Sequence, residues 1–440
     1  MDREQMKAKV IAQVDKDREA ILALGAEIYK HPETGYREVR TTETVAKALE
    51  ELGLPVDRGI AVTGCRAHAN TEKDGPKVVV MGELDSVVCP NHPDCDPQTG
   101  AMHACGHNIQ VSVMYGVAAA LIHSGVIGEL DGKLDFMAVP AEEYIEMDYR
   151  KSLRDQGKLH FYGGKVELAY KGAFDDVDMI MMAHNFPISE EGYKVSPMTT
   201  GNGFIGKKTH FLGKQAHAGA APWDGVNALN MATIAINSMH AQRETFRERD
   251  YVRIHQIINR GGDIVNAVPD DVELETTIRA RTLEGMKAAN EKVNRCIQGA
   301  AIAMGGHATT EDSVGYLPMY PDRTMAAFFT ENAKRFYPEE TILPCMDSTG
   351  SFDIGDLSHF MPILHCITSG VTGGLHSADY RVVDVEDAFI TPVKMLACTV
   401  IDLLCDGAAG AKEVKANFKP VMTKAEYIET ILGLEQKLEY

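Results

Sequence analysis

The chain has 440 residues, and 44 lysine and arginine residues against 63 aspartate and glutamate residues give a net charge of −19. Because nucleic acids and anionic membranes bind basic surfaces, this charge argues against both as partners. A composition of 45% hydrophobic and 24% charged residues is that of a folded globular protein, and the length predicts two or three domains.

The N-terminal segment, residues 1–17, is charged throughout, whereas a secretory signal peptide needs an apolar centre. No stretch of the sequence reaches the ~18 uninterrupted apolar residues of a membrane span. The nine cysteines, scattered from Cys65 to Cys405, do not have the spacing of a disulfide framework. We therefore expect a cytoplasmic protein whose cysteines are metal ligands, nucleophiles or core residues.

The first predicted elements are two helices, at residues 4–29 and 42–52, where apolar residues recur at helical spacing. Short apolar runs bounded by turn residues then predict buried strands of one mostly parallel sheet. These runs are residues 77–82, 133–139, 179–182 and 362–369. Residues 111–124 predict the crossover helix between the first two strands. A further helix at 386–405 is preceded by Asp384 as N-cap.

The middle of the chain has a different order of elements. Its strand-like and helix-like segments alternate as in a split βαβ, ferredoxin-like domain, with helices on one face of an antiparallel sheet. The strands are predicted at 201–212, 251–259 and 272–281, and the helices at 225–243 and 286–304. We therefore predict an α/β domain at residues 1–196 and 318–440, its mostly parallel sheet flanked by helices, and an inserted α+β domain at 197–317. The tail predicts a helix at 424–438.

Candidate metal ligands follow the predicted strands. Cys105 and His107 stand two residues apart in the sequence MHACGHN, just before a helix, where a thiolate and an imidazole can bind one cation. Glu142 and Glu143 follow the strand at 133–139. Because neighbouring residues of an extended chain point in opposite directions, one of these carboxylates can bind a metal while the other faces a substrate.

Two histidines occupy similar positions: His184 follows the third strand, and His376 follows the fourth. Ligands bind at the carboxyl ends of the strands in parallel α/β sheets, so we expect all these groups to converge on one site. Glu83 and Asp85 also end a strand, where they can hold a metal-binding imidazole in place.

Each residue also has an alternative interpretation. Cys105 can be a small buried residue, or a nucleophile activated by His107, although no orienting third group is apparent for that role. Glu142 and Glu143 can be a solvated pair, although the apolar approach through Phe136 favours burial. The convergence of several ligand types at strand ends favours a metal centre.

Five separated motifs resemble a known enzyme family. They are HACGHN, PAEE, AHN, the segment KQAHAGAAPWDGVNAL at residues 214–229 and the segment GGDIVNAVPDDVELETTIRA at residues 261–280. In this order they are similar to the metallo-amidohydrolase family of aminoacylase, carboxypeptidase G and aminobenzoyl-glutamate hydrolase. The similarity extends over residues 30–397.

The resemblance implies a two-metal hydrolase whose general base is Glu142. The implied metal ligands are Cys105, His107, Glu143, His184 and His376. Two divalent cations, Zn, Mn or Co, would lower the pKa of a bridging water and polarise the amide carbonyl. Glu142 would then take the proton of the water and return it to the leaving amine.

The resemblance also implies that the inserted domain is a lid that forms a homodimer and presents His217 to the partner's active site, where an oxyanion needs a donor. Arg279, with Asn266 beside it, is implied to clamp a substrate carboxylate, because a guanidinium fork can bind both oxygens. His255 is a candidate for either group. The alternatives are a helix-capping turn residue for His217 and a surface salt bridge for Arg279.

The sequence departs from the family pattern at two positions. Asn108 and Gln110 stand where the common variant has aspartate and a histidine after the CGH triplet. The Asn form, with the segments at 254–258 and 348–356, favours the aminobenzoyl-glutamate hydrolase and related dipeptidase branch.

Outside the family motifs, Cys89, His92 and Cys95 form the pattern Cys-x-x-His-x-x-Cys. This pattern can be a chance arrangement in a loop or a structural zinc site, but a fourth ligand is not apparent.

We therefore predict a metal-dependent amidohydrolase that cleaves the amide bond of an N-acyl or N-aroyl amino acid, such as an aminobenzoyl-glutamate. The alternatives are a metal-dependent dipeptidase or carboxypeptidase, a Cys105 thiol amidase, and a metal-binding protein without catalysis. The expected partners are a small amide substrate with a free carboxylate and a second copy of the chain. The catalytic metal site is expected in the α/β domain.

Overall fold

The computed structural model describes residues 1–440, apart from the side chain of Glu190. Its helices are α1 (Arg3–Tyr29), α2 (Val39–Glu51), α3 (His107–His123), α4 (Met147–Asp155), α5 (Gly164–Tyr170), α6 (Ala228–Ala241), α7 (Leu283–Met304), α8 (Arg323–Ala333), α9 (Ile354–Leu357), α10 (Thr391–Leu404), α11 (Ala409–Asn417) and α12 (Lys424–Leu434). Its strands are β1 (Val56–Ile60), β2 (Gly64–Ala69), β3 (Lys77–Glu83), β4 (Val87–Val88), β5 (Ala101–Met102), β6 (Lys133–Val139), β7 (Met179–Asn185), β8 (Val195–Ser196), β9 (Gly203–Leu212), β10 (Arg253–Arg260), β11 (Asp271–Ala280), β12 (His307–Val314), β13 (Ile363–Thr368), β14 (Val371–Thr372), β15 (Arg381–Val382) and β16 (Lys437–Glu439).

The chain forms two compact units. The first contains residues 1–200, 320–347 and 357–421, and the second contains residues 201–319, 348–356 and 422–440. The sequence predicts residues 197–317 alone for the second domain. In the structure, residues 348–356 and 422–440 also belong to the second unit. Strand β16 pairs antiparallel with β12, and this pairing makes the C-terminal residues part of the second unit.

The first unit is built around a sheet in the order β1-β2-β6-β3-β7-β13-β8. Its central strands β6, β3, β7 and β13 are parallel, whereas the outer strands pair antiparallel. The central strands are buried almost throughout, which explains why each has a continuous apolar sequence. The predicted α/β fold with a mostly parallel sheet is confirmed.

Helices α1, α3 and α10 pack closely against one another in the first unit. A Cβ atom at Gly116 of α3 would lie 2.6 Å from Val393 of α10 and 3.0 Å from Ile21 of α1, so glycine permits this approach. Helix α3 begins at His107, earlier than predicted. The helix predicted at 386–405 is a π-helical turn, Glu386–Ile390, that continues into α10.

The second unit follows the chain order β9-α6-β10-β11-α7-β12, and its sheet has the order β10-β11-β9-β12-β16. All neighbouring strands of this sheet are antiparallel. Alternate residues of β11 are buried, and Val272, Leu274 and Ile278 join the same core as α6 and α7. The predicted ferredoxin-like α+β arrangement is confirmed, with β16 added at the edge beside β12.

Among the described residues, no single helix has the length and apolar character needed to cross a membrane. One pair of helical segments, Glu386–Leu404 and Ala409–Asn417, meets those criteria only when taken together, and it is bent by 85° at the break.

Candidate active site

The candidate metal ligands lie at the carboxyl ends of the parallel strands of the first unit. Strand β3 ends at Glu83, β6 ends at Val139 shortly before Glu142, and β7 contains His184. Glu83 pairs in register with Val139, so β3 and β6 end at the same edge of the sheet. Side chains that follow these strands can therefore meet without a long reach.

Helix α3 begins at His107, directly after Gly106, whose φ of 82° lies in the left-handed region. A Cβ atom at Gly106 would lie 2.5 Å from the hydroxyl oxygen of Tyr380. Both the backbone conformation and the close contact therefore require glycine between Cys105 and His107. The resulting turn brings these two residues into one cluster of donor atoms.

Two triplets of donor atoms share Cys105. Its Sγ lies 3.5 Å from Nε2 of His184, and the donor atoms of Cys105, His107 and His184 lie within 4.8 Å of one another. Nε2 of His376 lies 3.0 Å from Oε1 of Glu143, and these two residues form a second such triplet with Cys105. The structure therefore brings the five predicted ligands together around one cysteine.

The donor set fits divalent cations. With zinc bonds of about 2.0–2.1 Å to nitrogen or oxygen and about 2.3 Å to sulfur, tetrahedral ligands of one ion stand about 3.3 Å apart for nitrogen and oxygen and about 3.6 Å for sulfur and nitrogen. The separations of 3.0 and 3.5 Å are close to these values. Nε2 of His107 is buried and makes no hydrogen bond, so it can serve a cation.

Backbone carbonyls orient two of the imidazoles. Nδ1 of His107 lies 2.8 Å from the carbonyl oxygen of Asp85, and Nδ1 of His184 lies 3.0 Å from that of Asn185. A ring nitrogen bonded to a carbonyl oxygen carries the proton, so Nε2 of each ring is left for a metal.

Burial and neighbouring groups together set the protonation of the ligands. Burial lowers the pKa of His184 to about 4, so this imidazole is neutral at neutral pH. Burial opposes ionisation of Glu143, but its hydrogen bond with His376 outweighs this and lowers the pKa of the carboxyl. Burial raises the pKa of the Cys105 thiol well above its usual value. An activated nucleophile needs the opposite shift, which argues against the thiol amidase interpretation.

The chain turns at Ala141, directly before Glu142 and Glu143. Ala141 has a φ of 55°, so the extended conformation of β6 ends before the two carboxylates. The N–H of Ala141 donates to Oε1 of Glu38 at 2.8 Å, and the N–H of Glu143 donates to Oδ2 of Asp85 at 2.9 Å. Buried carboxylates therefore hold this turn on both sides.

The two glutamates nevertheless occupy different parts of the cluster. Glu143 belongs to a triplet with Cys105, whereas the donor atom of Glu142 groups with those of Glu83 and His107. Both glutamates are buried. Glu142 lies outside both cysteine triplets, an arrangement compatible with a base beside the cations.

Arg150 of α4 is a functional neighbour that sequence reasoning missed. Its side chain is fully buried, and its guanidinium donates to the carbonyl oxygens of Glu143 and Tyr162, the latter at 2.7 Å. Helix α4 is otherwise polar, and an arginine in such a helix is normally exposed. The one local signal is its i,i+3 spacing to Leu153, the other buried residue of the helix.

His376 lies in a loop that the segment containing Cys89 and His92 supports. The thiol of Cys89 donates to the carbonyl oxygen of His376 at 3.7 Å, and Nε2 of His92 lies 3.0 Å from the carbonyl oxygen of Tyr380. Nδ1 of His92 accepts the N–H of Asp94 at 3.1 Å. Because both ring nitrogens of His92 have backbone partners, and no donor triplet of the described residues includes it, the hydrogen-bonded loop is favoured over a zinc site.

The cluster meets solvent at His376, whose side chain is 48% exposed while that of its partner Glu143 is 8% exposed. The donor atoms of Cys105, His107 and His184 belong to buried residues. A substrate therefore has access to the cluster from the side of His376.

Comparisons with known proteins show which family the chain resembles. Residues 200–304 match the M20 peptidase dimerisation domain. The Xaa-Arg dipeptidase of Mus musculus is 28% identical over 451 residues, covering 97% of this chain and 95% of that protein. The N-acetylcysteine deacetylase of Bacillus subtilis is 26% identical over 297 residues, covering 66% of this chain and 72% of that protein. A crystal structure described as a dinuclear metal binding peptidase from the M20 family, also from Bacillus subtilis, aligns with a TM-score of 0.67 and 21% identity, covering 89% of this chain and 99% of that one. These comparisons show that the chain resembles the M20 peptidase family over most of its length.

These similarities confirm the predicted resemblance and the predicted enzyme class. The relatives are peptidases and amidohydrolases, and this protein is a metal-dependent enzyme of that class, which hydrolyses amide or peptide bonds. The comparisons therefore argue against a metal-binding protein without catalysis.

In the second unit, His217 and Asn266 lie on neighbouring exposed segments. The N–H of Ala218 donates to the carbonyl oxygen of Asn266 at 2.9 Å, and His217 forms a β-bridge with Ala267. Nδ1 of His217 accepts the N–H groups of Gly219 and Ala220 at 3.1 and 3.0 Å. The neutral ring therefore carries its proton on Nε2, which is the form that can donate to an oxyanion.

Arg279 of β11 has no carboxylate partner among the described residues. Its guanidinium donates to Oγ of Ser351 at 2.7 Å and lies 5.0 Å from the centre of the Phe204 ring. The surface salt bridge weighed as the alternative for this arginine is not found among the described residues, where its contacts are with Ser351 and Phe204. His255 of β10 is exposed and pairs in register with Thr277, so it lies on the same face of the sheet as Arg279.

Proposed function

We propose that this protein hydrolyses the amide bond of an N-acyl or N-aroyl amino acid that carries a free carboxylate, with an aminobenzoyl-glutamate as the model substrate. The observation that supports the proposal is the convergence of Cys105 with His107, Glu143, His184 and His376 at the strand ends of one sheet. This donor set has the mixture of thiolate, imidazole and carboxylate that zinc, manganese and cobalt bind.

Two cations would be held by the two triplets that share Cys105, one with His107 and His184 and the other with Glu143 and His376. When bound, such a pair of cations polarises the amide carbonyl and acidifies the attacking water. Glu142, buried beside the triplets, takes the proton from the water and returns it to the leaving amine.

The second unit supplies the groups that bind the rest of the substrate in this proposal. Nε2–H of His217 donates to the oxyanion in the active site of the partner subunit, which makes a homodimer the functional form. The guanidinium of Arg279 binds the substrate carboxylate, with Asn266 and His255 as further polar contacts. The lack of a carboxylate partner for Arg279 among the described residues supports this role.

A dipeptidase is the second candidate function. The Xaa-Arg dipeptidase of Mus musculus aligns with 97% of this chain, a longer alignment than the 66% for the N-acetylcysteine deacetylase. Cleavage of a dipeptide uses the same centre and the same contact with a terminal carboxylate. The two candidates differ only in the acyl group on the carbonyl side of the scissile bond.

Hydrolysis assays separate the two candidates. The zinc-loaded enzyme is offered N-acetyl amino acids, aminobenzoyl-glutamate, and dipeptides that end in arginine, lysine or glutamate, and kcat/KM is compared. The amidohydrolase proposal requires the acyl or aroyl substrates to be cleaved faster than every dipeptide. A kcat/KM at least tenfold higher for a dipeptide would instead favour the dipeptidase. The Glu142→Gln protein serves as the control for contaminating activity.

We also propose a cytoplasmic location. All nine cysteines are free thiols, as is usual in a reducing compartment.

A further inference from the structure

Glu83 is a further carboxylate inside the metal cluster. Its side chain, at the end of β3, is 3% exposed, and its Oε2 lies 3.1 Å from Nε2 of His107. This separation is close to the distance of about 3.3 Å between oxygen and nitrogen ligands of one tetrahedral zinc ion. The donor atoms of Glu83, His107 and Glu142 also lie within 4.8 Å of one another.

Glu83 and His107 are close enough for an ion pair, but the two atoms do not have the geometry of a hydrogen bond. Nε2 of His107 has no hydrogen-bond partner although it is buried. The carboxylate oxygen therefore lies to one side of the direction in which Nε2 points. A cation on Nε2 would be within reach of both atoms, and it would satisfy a buried nitrogen that otherwise has no partner.

Two buried side chains fix the orientation of Glu83. Nζ of Lys165, on α5, forms an ion pair with Oε1, and Nε2 of Gln110, on α3, donates to Oε2 at 2.8 Å. The side chain of Lys165 is 0% exposed. A Cβ atom at Gly164 would lie 1.7 Å from the carbonyl oxygen of Pro140, so α5 begins in direct contact with the chain that follows β6.

We propose that Glu83 is an additional ligand of the cation held by His107, and that Lys165 and Gln110 are positioning residues that hold its carboxylate. This inference rests on the two-cation centre of the proposed function. Burying a lysine and a glutamate costs desolvation free energy, which a purely structural pair recovers only in part. A bound cation provides a further positive charge beside the same carboxylate.

Zinc binding and thermal unfolding of the full chain test the inference without using catalysis. Apo protein is titrated with zinc in competition with a chromophoric chelator, which gives a dissociation constant for each site. We expect Glu83→Gln to weaken one of the two constants by about tenfold or more and to leave the other unchanged. Glu83→Asp, which retains the charge but is one methylene shorter, should weaken the same constant and serves if the glutamine variant does not fold.

Lys165→Met provides an independent readout. Without the ammonium group, the Glu83 carboxylate is a buried charge that lacks its counter-ion, so the apo variant should unfold at a lower temperature than the wild type. Zinc should then raise the unfolding temperature of Lys165→Met by more than it raises that of the wild type. The matched control is Lys207→Met in the second unit, which removes the partner of buried Asp312 and should lose stability without any added response to zinc.

The possible outcomes are distinguishable. Unchanged zinc constants in both Glu83 variants, with two ions bound, would overturn the role of Glu83 and leave the proposed function intact. Equal zinc stabilisation of Lys165→Met and the wild type would also count against it. Failure of the wild type to bind two ions would instead overturn the two-cation centre itself.

Discussion

The two units of this protein differ in how far their candidate functional groups are buried. In the first unit, Cys105, His107 and His184 are buried, and backbone carbonyls already fix two of the rings. In the second unit, His217 and Asn266 are exposed. The first arrangement is fixed by contacts within its own unit, whereas the second is open to solvent.

This difference separates the expected effects of substitutions. Changes in the buried cluster should alter metal content or kcat, because the cluster carries the chemistry. Changes in the exposed groups should leave metal content intact and act on KM, oxyanion stabilisation or the dependence on dimer formation. The predictions below follow this division from the largest expected effect to the smallest.

Removal of the metal should have the largest effect. We expect a chelator to reduce activity to the background level, and zinc, manganese or cobalt to restore it, with two ions per chain in elemental analysis. A thiol-alkylating reagent applied to the metal-loaded enzyme should have little effect, because Cys105 is buried and would be metal-bound. Activity that survives chelation but is lost on alkylation would favour a thiol amidase.

Glu142→Gln should remove the base without removing the metal. We expect kcat to fall by about 10³-fold, because a positioned general base contributes in that range, while the zinc content stays at the wild-type value. Glu143→Gln is the matched control, since it should lose zinc as well as activity. Loss of zinc in Glu142→Gln would reassign this residue as a ligand.

His217→Ala should lower kcat by about 10²-fold, the loss typical of one oxyanion donor, with no change in zinc content. Mixing it with Glu142→Gln protein tests whether the histidine serves the partner subunit. After random exchange half of the dimers contain one intact site, so activity should return to about a quarter of the wild-type value. No recovery despite demonstrated subunit exchange would contradict the arrangement.

Substitution of Arg279 should act on substrate binding. We expect Arg279→Met to raise KM by about tenfold or more, because a charged hydrogen bond to the substrate carboxylate is lost, while kcat changes less. Arg279→Lys retains the positive charge but not the planar fork of the guanidinium. Its KM should therefore lie between those of the wild type and Arg279→Met. The sharpest check is a substrate whose carboxylate is replaced by an amide: it should be cleaved about equally by the wild type and by Arg279→Met.

The strand-end rule predicted much of this site from the sequence. Apolar runs such as residues 133–139 identified the parallel strands, and parallel strands bring their carboxyl ends together whatever the length of the intervening chain. Strand β12 escaped prediction because its sequence, HATTEDSV, is mostly polar. The C-terminal strand escaped because it depends on pairing with a distant segment.

The surroundings of the ligands could not be predicted in the same way. Lys165 and Arg150 are charged residues in short helices, and their burial depends on partners, Glu83 and the carbonyl of Glu143, that only the fold brings near them. The left-handed turn at Ala141 has no glycine to indicate it. Residue types and strand order thus predict which groups converge, but contacts between distant segments determine how they are oriented.

Glu38 offers the smallest and most specific test of the rigid centre, because its carboxyl holds the turn before Glu142. Burial, with repulsion from Asp85, raises the pKa of Glu38 from 4.5 to about 8. Between these values the unfolded chain has released the proton that the folded protein retains, so raising the pH through this interval favours unfolding. Glu38→Gln keeps the neutral form, and its amide can still accept from Ala141 and bond to Thr63.

We therefore expect Glu38→Gln to change kcat by less than about twofold at neutral pH, where the wild-type carboxyl is already protonated. Its stability relative to the wild type should increase between pH 5 and pH 8, as measured by urea unfolding at a series of pH values. Glu33→Gln, at a half-buried carboxylate of the same unit whose hydrogen bonds are to Arg40 and Thr41, is the control and should not show this trend. A relative stability that stays constant between pH 5 and pH 8 would mean that Glu38 is ionised in the folded protein over this whole interval. The turn would then be held by a buried negative charge, and the first unit would depend on bound cations for its rigidity.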